Sequence, residues 1–291
     1  MFSIIIPLYN KADYIAETLK SVLNQTYCDY EVIVVNDSST DNSLEVASSF
    51  QDERIHIYTK ENEGVSAARN YGIMHAKYDY IAFLDADDIW ESDYLECLKK
   101  LIGTYPDAEI YSTAFYSLEK GKRKLRNVLI NEHIHFLVHD YFKESVMNGL
   151  SICWTSSLCL KKEVIKEIPM FRVGIKRGED LDLWLRIALN YDVAYLNLPK
   201  VFYRTGLSDS LTSDYSKNGE FPYYEWFNFT SESSYYRKYV ILVVYIHAKN
   251  AFIHHDYDTC LAELWSVKTI AWRFKWAERL LLLVISWIKS K

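Results

Sequence analysis

The alternation of strands and helices in the first hundred residues limits the possible folds more than any other feature of this chain. Four segments rich in aliphatic residues have the length of strands buried in a sheet, and amphipathic segments lie between them. The strands are expected at 3–7, 31–35, 54–59 and 80–84, and the helices at 11–24, 43–50 and 65–76. Because parallel strands need crossover connections, this order predicts a parallel sheet with a nucleotide-binding crevice at the carboxyl ends of its strands.

The rest of the chain first mixes both kinds of element and then becomes helical. Residues 106–212 contain predicted strands and helices, whereas long helical segments follow from residue 221. The strands are expected at 108–113, 154–160 and 193–203, and the helices at 131–147 and 180–189. A polar segment at 213–220 separates the two regions, so we predict an α/β domain over 1–215 and a helical region over 216–291.

The composition excludes several classes of protein. With 49% hydrophobic and 25% charged residues, the chain is globular, and its net charge of −6 disfavours a nucleic-acid-binding protein. Five cysteines without a CxxC motif favour reduced thiols. The longest aliphatic run, 280–285, is shorter than the ~18–20 residues of a membrane-spanning helix, and the first ten residues do not resemble a signal peptide. These features predict a cytoplasmic protein.

Acidic residues cluster at three places where predicted elements meet loops. The clusters are Asp37 with Asp41, Asp85 with Asp87 and Asp88, and Glu179 with Asp180. Carboxylates this close together repel one another unless a cation or hydrogen-bond donors neutralise them. A hard divalent cation does so and keeps positions open for substrate phosphates, so the 85–88 cluster predicts Mg²⁺ or Mn²⁺ holding a diphosphate. The alternative, an N-cap at Asp88 for a helix beginning at Glu91, accounts for one of these carboxylates.

Four segments of the chain resemble motifs of the inverting family 2 glycosyltransferases of the GT-A fold, in the family's order and with about its spacing. They are SIIIPLYNKADYIAETLKSVLNQTYCDYEVIVVNDSSTDNS (3–43), NEGVSAARNYGI (62–73), YIAFLDADDIW (80–90) and RGEDLDLWLRIA (177–188). The resemblance implies an α/β GT-A fold, with a mostly parallel sheet flanked by helices and a C-terminal helical appendage. It also implies a catalytic domain over 1–215, with a nucleotide-binding half at 1–105 and an acceptor half at 106–215.

The resemblance implies donor-binding roles for residues of the first two motifs. Pro7 and Tyr9, on the loop after the first strand, would line the base pocket, with Tyr9 near the uracil face. Asp37 would accept the imide hydrogen of uracil. The family usually has two acids at this point, and here the first is Asn36. Arg69 would lie near the nucleotide.

The resemblance assigns residues of the later motifs to the ribose, the phosphates and the acceptor hydroxyl. By the same resemblance, Asp85 would reach the ribose, and Asp87 would hold the metal that bridges the two phosphates. Asp180 would be the base that deprotonates the acceptor hydroxyl, as a positioned carboxylate can. Arg204 would touch the pyrophosphate, although the family's Tyr-Arg-x-His pattern ends here in Thr205-Gly206 and the histidine is absent.

The activity implied by the resemblance is transfer of one hexosyl or N-acetylhexosaminyl unit from a UDP-sugar to an acceptor hydroxyl, with inversion and with Mn²⁺ or Mg²⁺. The expected acceptor is a growing surface polysaccharide of the bacterial type on a lipid carrier. Trp154, Thr155 and Ser156 are candidates for acceptor contacts, or equally for a core tryptophan beside two strand hydroxyls. The alternative function is a non-catalytic protein of the same fold that binds a nucleotide sugar or a glycan.

Other classes of enzyme fit the motifs less well. The segment 85–87 is similar to the nucleophile motif of haloacid-dehalogenase-type phosphatases, but it follows the fourth strand instead of the first, and Ile89 stands where Thr or Val is expected. A nucleotide-sugar pyrophosphorylase needs a Gly-rich basic loop after the first strand and a Rossmann dehydrogenase needs a GxGxxG turn, and the sequence has neither. His133, His135 and His139 suggest zinc, but on the predicted helix they do not share one face.

The C-terminal segment 264–288 has the pattern of an amphipathic helix. Its apolar face comprises Leu264, Val267, Ala271, Phe274, Ala277, Leu281, Val284 and Ile288. Residues 261–291 contain six Lys or Arg and two Asp or Glu, and their tryptophans favour an interface. These features predict a helix on an anionic membrane surface, at the inner face of the cell membrane, or equally a helix packed on the catalytic domain with its basic edge in solvent.

Overall fold

The structure, a computed structural model, covers most of the α/β domain and part of the region that follows it. The described residues are 1–129, 131–149, 151–175, 177–207, 223–226, 230–253, 256 and 260. The predicted domain boundary at 213–220 and the predicted amphipathic helix at 264–288 lie outside them. Within the described residues, no helix is both long enough and apolar enough to cross a membrane.

Strands and helices alternate regularly in the first hundred residues and less regularly afterwards. The strands are β1 (Phe2–Leu8), β2 (Tyr30–Asn36), β3 (Ile55–Thr59), β4 (Tyr80–Phe83), β5 (Ile89–Trp90), β6 (Ile110–Glu119), β7 (Lys122–Arg126), β8 (His135–Val138), β9 (Leu158–Lys161) and β10 (Val193–Arg204). The helices are α1 (Ile15–Leu23), α2 (Ser43–Ser48), α3 (Val65–His75), α4 (Tyr94–Thr104), α5 (Tyr141–Asn148), α6 (Val164–Glu167), α7 (Glu179–Ala188), α8 (Tyr223–Trp226) and α9 (Tyr236–Ile253).

The parallel sheet predicted for the first half is confirmed. β3, β2, β1 and β4 lie side by side and run parallel, and every residue of β1 and β2 is buried, as in sheets covered on both faces. Pro7 lies within β1, opposite Val35, and not on the loop after it. β4 pairs with β1 only as far as Ile5. Pro7 therefore lies where β1 has one neighbouring strand, and its missing N–H is tolerated.

The strands of the second half extend the sheet beyond β4, in the order β4-β9-β6-β10-β5. β9 is antiparallel to β4 and β6, whereas β6 and β10 run parallel. β9 pairs with residues 110–112 of β6, and β7 pairs with residues 115–119. β10 lies along the other edge of β6, so β7 and β9 share one edge of β6. Along that edge, β7 follows the point at which β9 begins, Leu158.

The prediction of a single helix over 131–147 is wrong. The segment contains strand β8, which is antiparallel to β10, and most of helix α5. The side chain of Asp140 accepts the backbone N–H of Lys143 and caps α5, so a local hydrogen bond starts the helix where periodicity alone did not show a boundary. His135 therefore lies on a strand. Among the described residues, no group of three His, Cys, Asp or Glu could hold a metal ion.

Two apolar clusters, one on each face of the sheet, form the core. α3 lies on one face, where Gly72 approaches Ile5 so closely that a Cβ would be 2.6 Å from Ile5 Cγ2. α7 packs on the same face through Leu183 and Trp184, and the Trp184 ring lies 5.9 Å from that of Phe83 on β4. α1 and α4 cover the other face. This packing brings the first turn of α7 to the carboxyl end of β4.

The described C-terminal helices are attached to the α/β domain by buried contacts. The indole of Trp226, in α8, donates to Asp182 Oδ1 of α7 at 2.9 Å. The hydroxyl groups of Tyr239, in α9, and Tyr141, in α5, lie 3.1 Å apart. Asp182 is fully buried and also pairs with Arg186 at 2.9 Å. Helix α7, which begins with the acidic residues Glu179 and Asp180, is therefore held in its first turn by a side chain of α8.

Candidate active site

The carboxyl ends of several strands meet at one edge of the sheet and supply the side chains of the candidate site. β1, β2 and β4 run in one direction and lead into loops at this edge. The last residue of β10, Arg204, joins them, because its backbone N–H donates to Asp88 Oδ1 at 3.0 Å. Tyr9, directly after β1, is 45% exposed. Open α/β sheets bind their ligands at such an edge.

Asp37 lies in a polar pocket at the end of β2. Its Oδ1 accepts from the ammonium of Lys60 at 3.0 Å and from the N–H of Glu63 at 3.1 Å, and its Oδ2 accepts the N–H of Gly64 at 2.8 Å. Gly64 has a φ of 90° and directly precedes α3, a conformation that favours glycine. The preceding Asn36 accepts a backbone N–H of the same loop. Three donors therefore fix the Asp37 carboxylate, which retains lone pairs for a further donor.

Arg69 links two acidic motifs that are far apart in the sequence. Its Nη2 donates to Asp85 Oδ1 and its Nη1 donates to Glu179 Oε1, both at 2.8 Å. The guanidinium also lies 5.2 Å from the centre of the Phe171 ring. The Arg69 side chain is 4% exposed, and its Nε has no partner among the described residues. The resemblance placed Arg69 near the nucleotide, and the structure places it between Asp85 and the start of α7.

Asp180, the second residue of α7, is partly buried beside Glu179. Its Oδ2 accepts from the Thr155 hydroxyl at 3.1 Å and its Oδ1 accepts the N–H of Leu181 at 2.7 Å. Burial raises the pKa of Asp180, and the positive charge of Arg69 and these two hydrogen bonds oppose the rise. Burial and the charge of Asp180 raise the pKa of Glu179 to about 7. Carboxylates with raised pKa values are suited to proton transfer near neutral pH.

Asp87 meets two cationic side chains, one of which the sequence did not reveal. The ammonium of Lys11 lies 2.7 Å from Asp87 Oδ2, and Arg204 Nη1 donates to the Asp87 carbonyl oxygen at 2.8 Å. Arg204 also pairs with Glu17 of α1 and lies over the Tyr14 ring. The Asp87 side chain is 16% exposed. The carboxylate that the resemblance gives to a metal is therefore balanced by Lys11.

Asp88 is buried and fixes the turn after β4 to the neighbouring strands. Its Oδ2 accepts from the Ser156 hydroxyl at 2.6 Å, and its Oδ1 accepts the backbone N–H of Arg204. Burial and the two neighbouring carboxylates of the turn raise the pKa of Asp88 well above its ordinary value. The N-cap alternative is wrong, because α4 begins at Tyr94 and not at Glu91.

The segment Trp154-Thr155-Ser156 lies beside both acidic motifs. It forms the turn before β9, in which residues 155–157 make a short 3-10 helix. The Thr155 hydroxyl donates to Asp180 and the Ser156 hydroxyl donates to Asp88. The sequence left open whether these hydroxyls served an acceptor or the core. They are buried and hold the carboxylates in place.

The contacts divide the predicted site residues into two groups. One group is joined by hydrogen bonds, ion pairs or sequence neighbours and comprises Arg69, Asp85, Asp87, Asp180 and Arg204. The other group comprises Pro7, Tyr9 and Asp37, at the ends of β1 and β2. Two partners, Lys11 and Lys60, were missed. A lysine that follows a predicted parallel strand, at the same edge as a carboxylate cluster, was the available signal.

Comparison with known proteins identifies one family over most of the described α/β region. The sequence profile described as Glycosyl transferase family 2 matches residues 3–168. Glycosyltransferase GlyA of Streptococcus pneumoniae is 32% identical over 212 residues, which cover 69% of this chain and 30% of GlyA. TuaG of Bacillus subtilis, a glycosyltransferase attributed to teichuronic acid biosynthesis, is 32% identical over 198 residues, which cover 67% of this chain and 75% of TuaG.

Two further comparisons extend this result. A chondroitin synthase of Pasteurella multocida is 34% identical over 172 residues, and the match spans 18% of its length. The crystal structure of residues 1–349 of S. aureus TarS in complex with UDP-GlcNAc is similar in fold, with a TM-score of 0.64 and 20% sequence identity. That match covers 74% of this chain and 61% of the TarS chain.

Proposed function

The chain belongs to glycosyl transferase family 2 and has the GT-A fold, and we propose that it moves a single hexosyl or N-acetylhexosaminyl unit from a UDP-sugar to an acceptor hydroxyl, with inversion. The observation that supports this best is the Arg69 bridge. It brings Asp85, of the proposed donor motif, and the first turn of α7, with Asp180, to one place. One motif can then hold the donor while the other activates the acceptor. We assign the catalytic domain to residues 1–215.

The proposed donor site extends from the end of β2 to the end of β10. Asp37 accepts the imide hydrogen of uracil, a role for which its fixed, buried carboxylate is suited, and the exposed ring of Tyr9 lies along the base. Pro7 supports this loop from within β1. Asp85 binds the ribose and is oriented by Arg69.

The end of β10 contributes to the phosphate part of the proposed donor site. Arg204 contacts the pyrophosphate, because its guanidinium lies at the turn of Asp87. The match with the TarS complex supports a nucleotide sugar as the donor at the level of the fold.

Mn²⁺ or Mg²⁺ is the proposed cofactor, with Asp87 as its ligand. The residues fit such an ion, because the Asp87 carboxylate is a hard oxygen donor that is partly exposed, and the ion would share it with Lys11. Among the described residues, no group of three His, Cys, Asp or Glu is arranged so that it could hold a metal ion by itself. The other ligands would be diphosphate oxygens and water, as is usual for Mg²⁺. When bound, the ion would neutralise charge on the leaving diphosphate.

Asp180 is the proposed general base. As the acceptor oxygen bonds to the anomeric carbon and the bond between that carbon and UDP breaks, the proton of the acceptor hydroxyl passes to Asp180. Inversion requires the acceptor to approach from the side opposite the leaving UDP, and a base on α7, an element separate from the β4 turn, permits such an approach. Thr155 and the N–H of Leu181 orient the carboxylate, and Arg69 stabilises its charge.

A surface polysaccharide on a lipid carrier is the proposed acceptor, reached at the cytoplasmic face of the cell membrane. The names of TuaG and of the chondroitin synthase support a role in polysaccharide assembly. We further propose that segment 264–288 binds an anionic membrane surface. Liposome flotation tests this part. Equal binding by the full chain and by a 1–260 truncation would contradict it.

Calorimetric titration with UDP, GDP and CDP tests the donor site. We expect the protein to bind UDP most tightly, to bind it more tightly with Mn²⁺, and to lose the metal-dependent part in D87A. The exposed Asp107 provides a matched control, and D107A should bind UDP like the wild type. Metal-independent binding would remove the role of Asp87, and no nucleotide binding by folded protein would contradict the donor assignment.

Transfer assays test the base and the stereochemistry. With a UDP-sugar found by donor screening, D180N should lose transfer while it still binds UDP, and D107N should keep both properties. Proton NMR of the product reports whether the new linkage has the anomeric configuration opposite to that of the donor. Full transfer by D180N, or a retained configuration, would refute the proposed mechanism.

A further inference from the structure

Strand β7 is strongly basic, although the chain is acidic overall. The segment 120–126 contains five Lys or Arg in a chain with a net charge of −6, and every residue of β7 is exposed. None of these cations forms an ion pair with another described residue. Arg126 Nε donates to the Ser117 hydroxyl at 3.1 Å, and Arg123 lies over the Phe202 ring. Short Lys- and Arg-rich segments of this kind are typical of surfaces that bind polyanions.

The position of β7 relates this charge to the candidate site. β7 lies on the edge of β6 that faces β4, beyond the point where β9 begins. The turn of residues 154–157 leads into β9 at that point. Adjacent strands lie about 4.8 Å apart. Across the sheet, β7 is therefore one to two strand spacings from the segment that continues β4 and contains Asp85. The basic strand therefore flanks the edge where the base Asp180 contacts Thr155.

Three of the cations form a row on one face of the sheet. Lys122, Lys124 and Arg126 alternate with Arg123 and Leu125, so they share a face. Alternate residues of a strand lie about 6.7 Å apart, so the row is about 13 Å long. A linear chain with regularly spaced negative charges matches such a row.

An aromatic cluster connects the row with the residues around the base. Arg126 lies opposite Phe115 in the β6–β7 ladder. The Trp154 ring lies 5.5 Å from that of Phe115 and 4.3 Å from that of Tyr203. Trp154 directly precedes Thr155, and its indole N–H has no acceptor among the described residues. Phe115 and the Trp154 indole N–H are buried, so the cluster is a packed connection that holds the basic strand next to the segment that contacts the base.

We propose that β7 binds negatively charged groups, phosphate or carboxylate, on the acceptor chain, and that the acceptor is therefore an anionic glycan. This inference rests on the proposed function for the identity of the bound chain as acceptor. A membrane surface fits the strand less well, because Leu125 is its one exposed apolar side chain and interfacial segments bury several. The donor diphosphate is assigned to other cations, Arg204 and a metal at Asp87.

Binding of short-chain inorganic polyphosphate to the full-length protein tests the proposal. The variant K122Q/K124Q/R126Q removes the row, and K77Q/K99Q/K100Q removes three exposed lysines elsewhere with the same change in net charge. We expect the first variant to bind polyphosphate roughly tenfold more weakly, from three exposed ion pairs of modest strength, and the second to bind like the wild type. An equal loss in both variants, or no loss in the first, would overturn the proposal.

Two further measurements separate the possible sources of the negative charge. Polyphosphate should inhibit transfer in competition with the acceptor, and competition with the UDP-sugar would overturn the proposal. Vesicles of phosphatidylglycerol should bind the wild type and the β7 variant equally, and a loss confined to the variant would assign β7 to the membrane instead. UDP binding by the same samples reports the donor site. Its failure in the wild type would contradict the proposed function without depending on β7.

Discussion

Replacing Thr155 by Val should move the acid limb of the transfer reaction to higher pH. Thr155 is buried, and its hydroxyl donates to Asp180 Oδ2 at 3.1 Å. This hydrogen bond favours the ionised carboxylate and opposes the rise in pKa that burial causes. Valine has nearly the shape of threonine, so T155V removes the donor without leaving a cavity. The base must be ionised to accept a proton, so the variant should lose activity at a higher pH than the wild type.

The size of the shift follows from the contact that is lost. A hydrogen bond to a charged group contributes about 1.5–3 kcal/mol, and one pKa unit corresponds to about 1.4 kcal/mol. The N–H of Leu181 and the charge of Arg69 continue to stabilise the carboxylate. We therefore expect an upward shift of about one to two pH units in the acid limb of kcat, with the plateau at high pH largely preserved.

The assay measures kcat against pH at saturating donor and acceptor, because the pKa in kcat belongs to the enzyme–substrate complex. T155S keeps the hydroxyl and serves as the matched control, with a limb close to that of the wild type. E179Q tests whether the neighbouring Glu179 is the group that titrates in the acid limb, since its pKa is raised to about 7. An unmoved limb in an active T155V, or a limb that disappears in E179Q, would refute Asp180 as the titrating base.

Three other substitutions test the contacts that build the site. W226F removes the indole donor to the buried Asp182, so urea unfolding should show a loss of about 1–3 kcal/mol, and an unchanged midpoint would contradict this. G72A places a Cβ 2.6 Å from Ile5 Cγ2 and should cost about 1–3 kcal/mol, and it should cost less in an I5A background, which lacks that γ carbon; an equal cost in both backgrounds would argue against this contact. R69M leaves two carboxylates without their shared partner, so we expect the free energy of unfolding to fall by about 3–5 kcal/mol and transfer to be lost. R69K should keep part of the stability and part of the activity. Wild-type transfer by R69M would refute the bridge.

The elements of the first half could be predicted because their signals are local. The aliphatic runs that became β1, β2 and β4 and the helical spacing that became α1 and α3 are complete within about ten residues. The acidic motifs end up at one edge of the sheet because parallel strands end there, which follows from the order of elements alone. The error at 131–147 had a local cause as well, since Asp140 caps a helix in the middle of that segment.

The contacts within the site could not be predicted, because each joins residues that are distant in the sequence. Arg69 and Glu179 are separated by 110 positions, and their meeting depends on how α3 and α7 pack on the same face of the sheet. The pairing of Lys11 with Asp87 likewise depends on the register of β1 against β4. A motif names the residue types at a site, and the packing of whole elements decides their partners.

The turn at 85–88 shows how much these partners matter, because its three carboxylates have different environments. Asp85 pairs with Arg69, Asp87 pairs with Lys11, and Asp88 is buried against a hydroxyl and a backbone N–H. Cationic side chains thus relieve the repulsion for Asp85 and Asp87, whereas burial and the two neighbouring carboxylates raise the pKa of Asp88 in spite of its two hydrogen bonds. In the proposed mechanism, the metal would instead neutralise the charge that a diphosphate adds. A cation bound at Asp87 would have to share that carboxylate with Lys11, so metal binding is expected to depend on the nucleotide.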